Sequence, residues 1–282
     1  MARGSVHTVG IDLAVQNAGT ASCRVEWASD GPKIGTPLLG RSDDELMEDV
    51  KGADVVGIDA PFGWPEPFFD AIKAHRAHAA WPGRGEGLEE FRQTLRLRCT
   101  DLVVKREALL TPLSVSADKI AVTTFRCALL LDRLEHEKGW RIDRSGLNGH
   151  AVEVYPAAAL KQWDLTQPKS YKAADAYTER TTIARGLAKA LNVTLRPAVE
   201  RACRETDHAL DALVSAVVAR AAALGWTRQP WSDDERDRAH VEGWIHFPHP
   251  EAALHLVGGD RGPKGSAGWP PPRKKVRAKR AR

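Results

Sequence analysis

The sequence predicts an α/β fold, a mixed five-stranded sheet flanked by helices with a helical insertion between strands four and five. Three observations point there. Val9-Gly10-Ile11-Asp12 and Val56-Gly57-Ile58-Asp59 are the same short word, apolar at successive positions and closed by an acid, as strands covered on both faces read. Between them lie two more strand-length runs and one helix-length run, so the chain can cross over and lay the second word parallel to the first. The second half carries long helical patterns and ends in an Ala- and Val-rich helix fit to cover a sheet.

In order, residues 7–14 form strand one, and Gln16-Asn17-Ala18-Gly19 turns the chain. Residues 20–27 alternate through Cys23, Val25 and Trp27 as strand two. Ser29-Asp30-Gly31-Pro32 is a second turn, and residues 34–39 complete an antiparallel meander. Ser42 and Glu45 have capping-box spacing before Leu46, Met47 and Val50, which marks a short helix closed by Gly52. Residues 54–59 are strand four. Pro61, Pro65 and Pro67 make the next stretch a rigid loop. The insertion occupies about residues 62–115. A long helix follows over 117–136, strand five over 151–155 is stopped by Pro156, and helices follow over 171–191 and 205–224, the last closed by Gly225. Residues 243–248 read as a short closing strand or hook. No internal repeat is visible.

The chain has 282 residues, 43% of them hydrophobic, enough for one large domain, placed at 1–257. No apolar run approaches the ~20 residues that span a bilayer, and Met1 to His7 lead straight into a strand without a signal peptide's apolar core. Cys23, Cys99, Cys127 and Cys203 form no C-x-x-C pair, so neither a zinc knuckle nor a disulfide frame is indicated. A cytoplasmic protein with reduced thiols is expected. The net charge of +4 conceals a division. Residues 261–282 hold nine Lys or Arg and no acid, which leaves −5 on residues 1–260. The body therefore has no broad basic field for nucleic acid, and residues 258–282 read as a disordered basic tail.

The chemistry lies in the acids. Neighbouring strands sit about 4.8 Å apart, so Asp12 and Asp59 would face each other across a gap that a divalent ion can fill. On the last helix, Asp207 with Asp211, and His208 with Asp211, have the spacing that shares a face. An acid buried on such a helix is costly unless it meets a cation, and carboxylate oxygens select hard ions such as Mg²⁺ or Mn²⁺. Glu153, inside the apolar strand five, is a further candidate for the same rim or the opposite face.

Five words in order carry a family resemblance: Gly10-Ile11-Asp12-Leu13-Ala14, Gly57-Ile58-Asp59-Ala60-Pro61, Arg98-Cys99-Thr100-Asp101, Glu153-Val154-Tyr155-Pro156 and Asp207-His208-Ala209-Leu210-Asp211-Ala212. Over roughly residues 6–250 the chain resembles the predicted ribonuclease-H-like nuclease family catalogued as domain of unknown function 429, in a superfamily that includes the RuvC-type resolvases. The resemblance implies an acid on strand one, one on strand four and a His-x-x-Asp pair on the final helix, which assigns Asp12, Asp59, His208 and Asp211 as catalytic. Asp207 stands one position off that spacing. The resolvases often carry Glu on strand four, and Asp59 is one methylene shorter. Two-metal phosphodiester hydrolysis is implied, with ions ~4 Å apart. Asp12 would bridge them, Asp59 and Asp211 would hold one each, and His208 or Asp207 would orient the water. Arg96 or Arg98 could brace a phosphate. DNA or RNA would be the partner.

Each residue also has a plainer reading. An acid closing a strand is often turn chemistry. Asp207 suits the positive end of a helix, Glu153 can pair with a structural Arg, and Asp101 with Arg98 can be a surface ion pair. Trp64 reads as a lid or core aromatic. Two other functions use the same residues. A catalytically silent nucleic-acid-binding or scaffold protein would rely on Arg273, Lys274, Lys275, Arg277, Lys279 and Arg280 of the tail. A phosphotransferase of the actin-like or sugar-kinase type would share the sheet, but no Gly-rich phosphate loop follows strand one.

Overall fold

Strand β1 (Val6–Asp12) sends Val9 and Ile11 to one face and Thr8, Gly10 and Asp12 to the other, and the computed structural model of the chain shows what covers each. The structure describes residues 5–83, 85, 88–116, 120–263, 265 and 269. β1 pairs antiparallel with β2 (Ala21–Ala28), which carries β3 (Gly31–Ile34) and β4 (Leu38–Leu39), both antiparallel. On its other side β1 pairs parallel with β5 (Val55–Asp59), then come β6 (Ala151–Val154) and β7 (Ile245–His246), also parallel. The order is β3-β2-β1-β5-β6-β7, with β4 beside β2.

Among the described residues the sheet thus has seven strands where five were expected. The run read as strand three is interrupted. Gly35 still donates to the Arg24 carbonyl at 2.8 Å, but Pro37 has no amide proton to continue the ladder. Pairing starts instead at Gly31, inside the expected turn, and Leu38–Leu39 forms a separate strand. The closing hook supplies the seventh strand, beside β6.

Ten helices are described: α1 (Asp43–Asp49), α2 (Glu66–Arg76), α3 (Leu88–Thr94), α4 (Cys99–Glu107), α5 (Ile120–Lys138), α6 (Pro156–Gln162), α7 (Tyr177–Ala190), α8 (Pro197–Glu205), α9 (Asp207–Leu224) and α10 (Asp233–Glu242). The capping box at Ser42 and Glu45 forms as read. Val9 and Ile11 of β1 pack with Val56 and Ile58 of β5 against Leu46 and Met47 of α1 and Cys127, Leu130 and Leu134 of α5. Phe125 and Leu129 of α5 face outward, and residues 117–119, the expected start of this helix, lie outside the described residues.

The opposite face is covered by α9, whose side chains are buried from Ala209 to Ala221. Gly10 and Gly57, directly paired in the sheet, let this helix lie on the strands themselves. A Cβ on Gly10 would collide with the Ala212 carbonyl and the Ala216 amide, and one on Gly57 with the Ser215 carbonyl. Thr8 completes the seam, donating its hydroxyl to the Ala216 carbonyl at 2.9 Å. Thr206 caps the start of α9 by accepting from the His208 amide, and Gly225 ends it at φ +82°.

Buried carboxylates pin the outer helices. Glu242, at the end of α10, accepts from the Glu66 amide at 2.9 Å and the Cys99 amide at 2.6 Å, so one side chain satisfies the first turns of α2 and α4. Among the described residues no helix is long and apolar enough to cross a membrane. All four cysteines are free thiols. The tail residues Arg273, Lys274, Lys275, Arg277, Lys279 and Arg280, read as disordered, lie outside the described residues.

Candidate metal centre

Alternation along the strands decides where the acids point. Gly10 and Asp12 share one face of β1, and Gly57 and Asp59 the same face of β5, because side chains two apart lie on one side of a sheet. The glycines lie under Ala212, Ser215 and Ala216 of α9. Two residues further along the strands, Asp12 and Asp59 sit opposite each other in register and meet the preceding turn of α9, which bears Asp211. One oxygen from each of Asp12, Asp59 and Asp211 lies within 4.8 Å of the others. The three come from distant parts of the chain, and the glycine seam is what joins them.

Asp12 is 8% exposed and Asp211 1%. Burial raises the pKa of Asp59 well above the ordinary carboxylate range. Lys172 opposes the shift, and Asp12, Asp211 and Glu153 add to it. Burial likewise pushes Asp211 up to about 6, against Lys172 and with Asp12. Like charges crowded in a place short of water call for positive charge.

His208 and Asp12 are joined at 2.7 Å between Nδ1 and Oδ2. That bond raises the histidine's pKa against burial, with Asp207 and Asp211 contributing. As the carboxylate accepts, the imidazole carries its proton at Nδ1. Asp207, on the first turn of α9, stands outside the gathered trio. The cavity beside the acids, about 450 Å³, is lined by Asp12, Asp59, Tyr155, Tyr171 and Lys172, with Leu113 and Ile120.

Arg98, Asp101 and Glu153 also border this cavity, but they are occupied with one another. Arg98 is 1% exposed. Its Nη2 donates to Glu153 at 2.7 Å and Asp101 at 3.0 Å, its Nε to Asp101 and its Nη1 to Glu153 and the Glu242 carbonyl. Glu153 also accepts from the Phe62 amide at 2.9 Å, which fixes the loop after Asp59. Arg98 therefore has no donor left for a phosphate, and its pair with Asp101 is buried, not a surface contact. Arg96 is exposed and lines a separate cavity with Phe68, Arg92 and Ser116, away from the acids.

Sequence reasoning missed Tyr171 and Lys172, placing both in a helix over 171–191. The helix starts at Tyr177. Buried Arg180 takes the Tyr171 and Ala173 carbonyls at 2.9 and 2.8 Å, holding residues 171–174 as a loop. From that loop the Tyr171 hydroxyl donates to Asp211 Oδ1 at 2.9 Å. Lys172 Nζ lies 2.9 Å from Asp211 Oδ2, off the line of a hydrogen bond. Nothing local in Ser170-Tyr171-Lys172-Ala173 marks either residue, because the partner is 39 positions from Lys172.

An α/β protein whose strand ends and covering helix crowd three carboxylates at one rim has a site suited to a divalent cation. The chain belongs to the family described as protein of unknown function (DUF429), whose model matches residues 10–236 and so takes in all three acids. No curated protein and no solved structure matches it.

Proposed function

We propose that the protein is a nuclease that hydrolyses phosphodiester bonds with Mg²⁺ or Mn²⁺, on a ribonuclease-H-like fold. The observation that carries this reading is the convergence of Asp12, Asp59 and Asp211 within 4.8 Å. The strand arrangement supports it: an antiparallel meander followed by parallel strands, with acids on the first strand, on its parallel neighbour and on the helix across both.

The donor set fits a hard cation, being all carboxylate oxygen, with its negative charge only partly offset by Lys172. Asp12, Asp59 and Asp211 would hold the ion. Bound there, a divalent cation lowers the pKa of water and offsets charge on a phosphoryl oxygen. The protein's own groups set the geometry around it. Asp12 orients the His208 ring through Nδ1, which leaves Nε2 to take or give a proton. Tyr171 fixes the angle of the Asp211 carboxylate. Arg98 holds Glu153, and through it the Phe62 amide, so the loop after Asp59 keeps its place. Leu113, Ile120 and Tyr155 give the cavity apolar walls that limit water around the reacting groups.

Incubation with fluorescent single- and double-stranded DNA and RNA in Mg²⁺ or Mn²⁺ tests the reading. Cleavage by the parent and its loss in Asp12→Asn, with an unchanged circular dichroism spectrum, is the expected result. Equal activity in parent and variant would remove it.

A further inference from the structure

Lys172 brings the acid cluster a positive charge of its own. Its Nζ is 2.9 Å from Asp211 Oδ2, while its neighbour Tyr171 holds Oδ1. Together the two side chains cover both oxygens of the most deeply buried acid in the trio. An incoming divalent cation therefore meets Asp211 already engaged by an ammonium group.

The lysine differs from the other cation on the cavity wall. Arg98 is enclosed and its nitrogens are committed, whereas the Lys172 side chain is 48% exposed and makes one ion pair. Its four-carbon stem can swing while its backbone stays fixed. The backbone is held by Arg180, which donates to Tyr171 and Ala173 and also to the Arg204 carbonyl at 2.8 Å. Arg180 thus ties the lysine's loop to the segment just before α9 and Asp211. The anchor is rigid, and the charged tip has room to leave.

We propose that Lys172 is a resident counter-ion of the acid cluster, which yields Asp211 to a divalent cation and then turns its ammonium group toward the substrate phosphate. Two cations held on one carboxylate repel each other, so ion and lysine cannot both remain on Asp211 without cost. Once displaced, Lys172 is the one uncommitted cation among the described residues lining the cavity, and the substrate is an anion. This inference rests on the acid cluster binding a cation, as in the nuclease reading.

Calorimetric titration of Mn²⁺ into the full chain, without substrate, separates the two ideas. Lys172→Met should bind Mn²⁺ about ten-fold more tightly than the parent, because a competing charge is gone. Lys172→Arg keeps the charge and should not gain affinity. Lys189→Met, which removes an exposed charge from α7, should leave affinity unchanged. At saturating Mn²⁺, a pentathymidylate with phosphorothioate linkages should bind Lys172→Met more weakly than the parent. Parent and Lys172→Met binding Mn²⁺ equally would overturn the competition and leave the cation site standing. Equal binding of the oligonucleotide would overturn the phosphate contact. Absence of Mn²⁺ binding in both would overturn this inference together with the nuclease reading.

Discussion

Asp211 is a costly residue to bury, and its surroundings show how the cost is met. A carboxylate at 1% exposure is tolerated because Tyr171 and Lys172 each engage one oxygen. Arg98 follows the same rule, with Asp101 and Glu153 on either side of its guanidinium. Replacing Glu153 with Gln leaves that buried cation half-compensated, and we expect a loss of roughly 3–5 kcal/mol, read as a lower urea midpoint. A stability change under about 1 kcal/mol would mean that the network is better hydrated than its burial indicates. His246 sets a pH dependence away from the acids. It is fully buried, with Nε2 2.9 Å from the Ser145 carbonyl, to which it donates, and Nδ1 2.8 Å from the Thr227 hydroxyl. Burial lowers its pKa to about 4. Between that value and about 6.5 the unfolded chain carries a proton that the folded chain lacks. Stability therefore falls as pH drops through this window and levels off below it, by up to about 3 kcal/mol for this group. Chemical denaturation from pH 7 to 4 should show a steeper decline in the parent than in His246→Gln.

At the scale of elements, the glycine seam does the positioning. Gly10 and Gly57 admit the backbone of α9, and the strand period then carries Asp12 and Asp59 to the helix turn that bears Asp211. Gly10→Ala should push α9 outward, cost roughly 1–3 kcal/mol or more, and weaken Mn²⁺ binding although no ligand is changed. A variant with parental stability and Mn²⁺ affinity would contradict the seam. Much of this level was legible in the chain. The repeated Gly-Ile-Asp words, the capping box at Ser42 and the Ala-rich helix are local patterns with local causes. What escaped was set by tertiary partners. Arg180 pulls 171–174 out of the expected helix. Pro37, which cuts strand three in two, is by contrast a local signal that the chain displays. The α10 helix was readable and overlooked: Ser232 and Glu235 repeat the spacing of Ser42 and Glu45, and Ser232 accepts from the Glu235 amide at 3.1 Å.

For the whole molecule, the fold collects negative charge at one rim of the sheet, and residues 1–260 carry −5 as well. The body by itself then attracts a polyanion weakly, and on the proposed nuclease reading a cation at the acid cluster would be its main electrostatic link to a phosphate. A ligand that binds the folded state alone stabilises it by mass action, so Mn²⁺ at 100 times its dissociation constant should add about 2.7 kcal/mol. The melting temperature of the parent should rise with Mn²⁺, and that of Asp59→Asn should rise far less. The most direct measurement is the anomalous difference map of a crystal soaked in Mn²⁺. A peak coordinated by Asp12, Asp59 and Asp211, with Lys172 turned away from Asp211, is the predicted result. A map with no peak there, and Lys172 still seated on Asp211, would contradict the account.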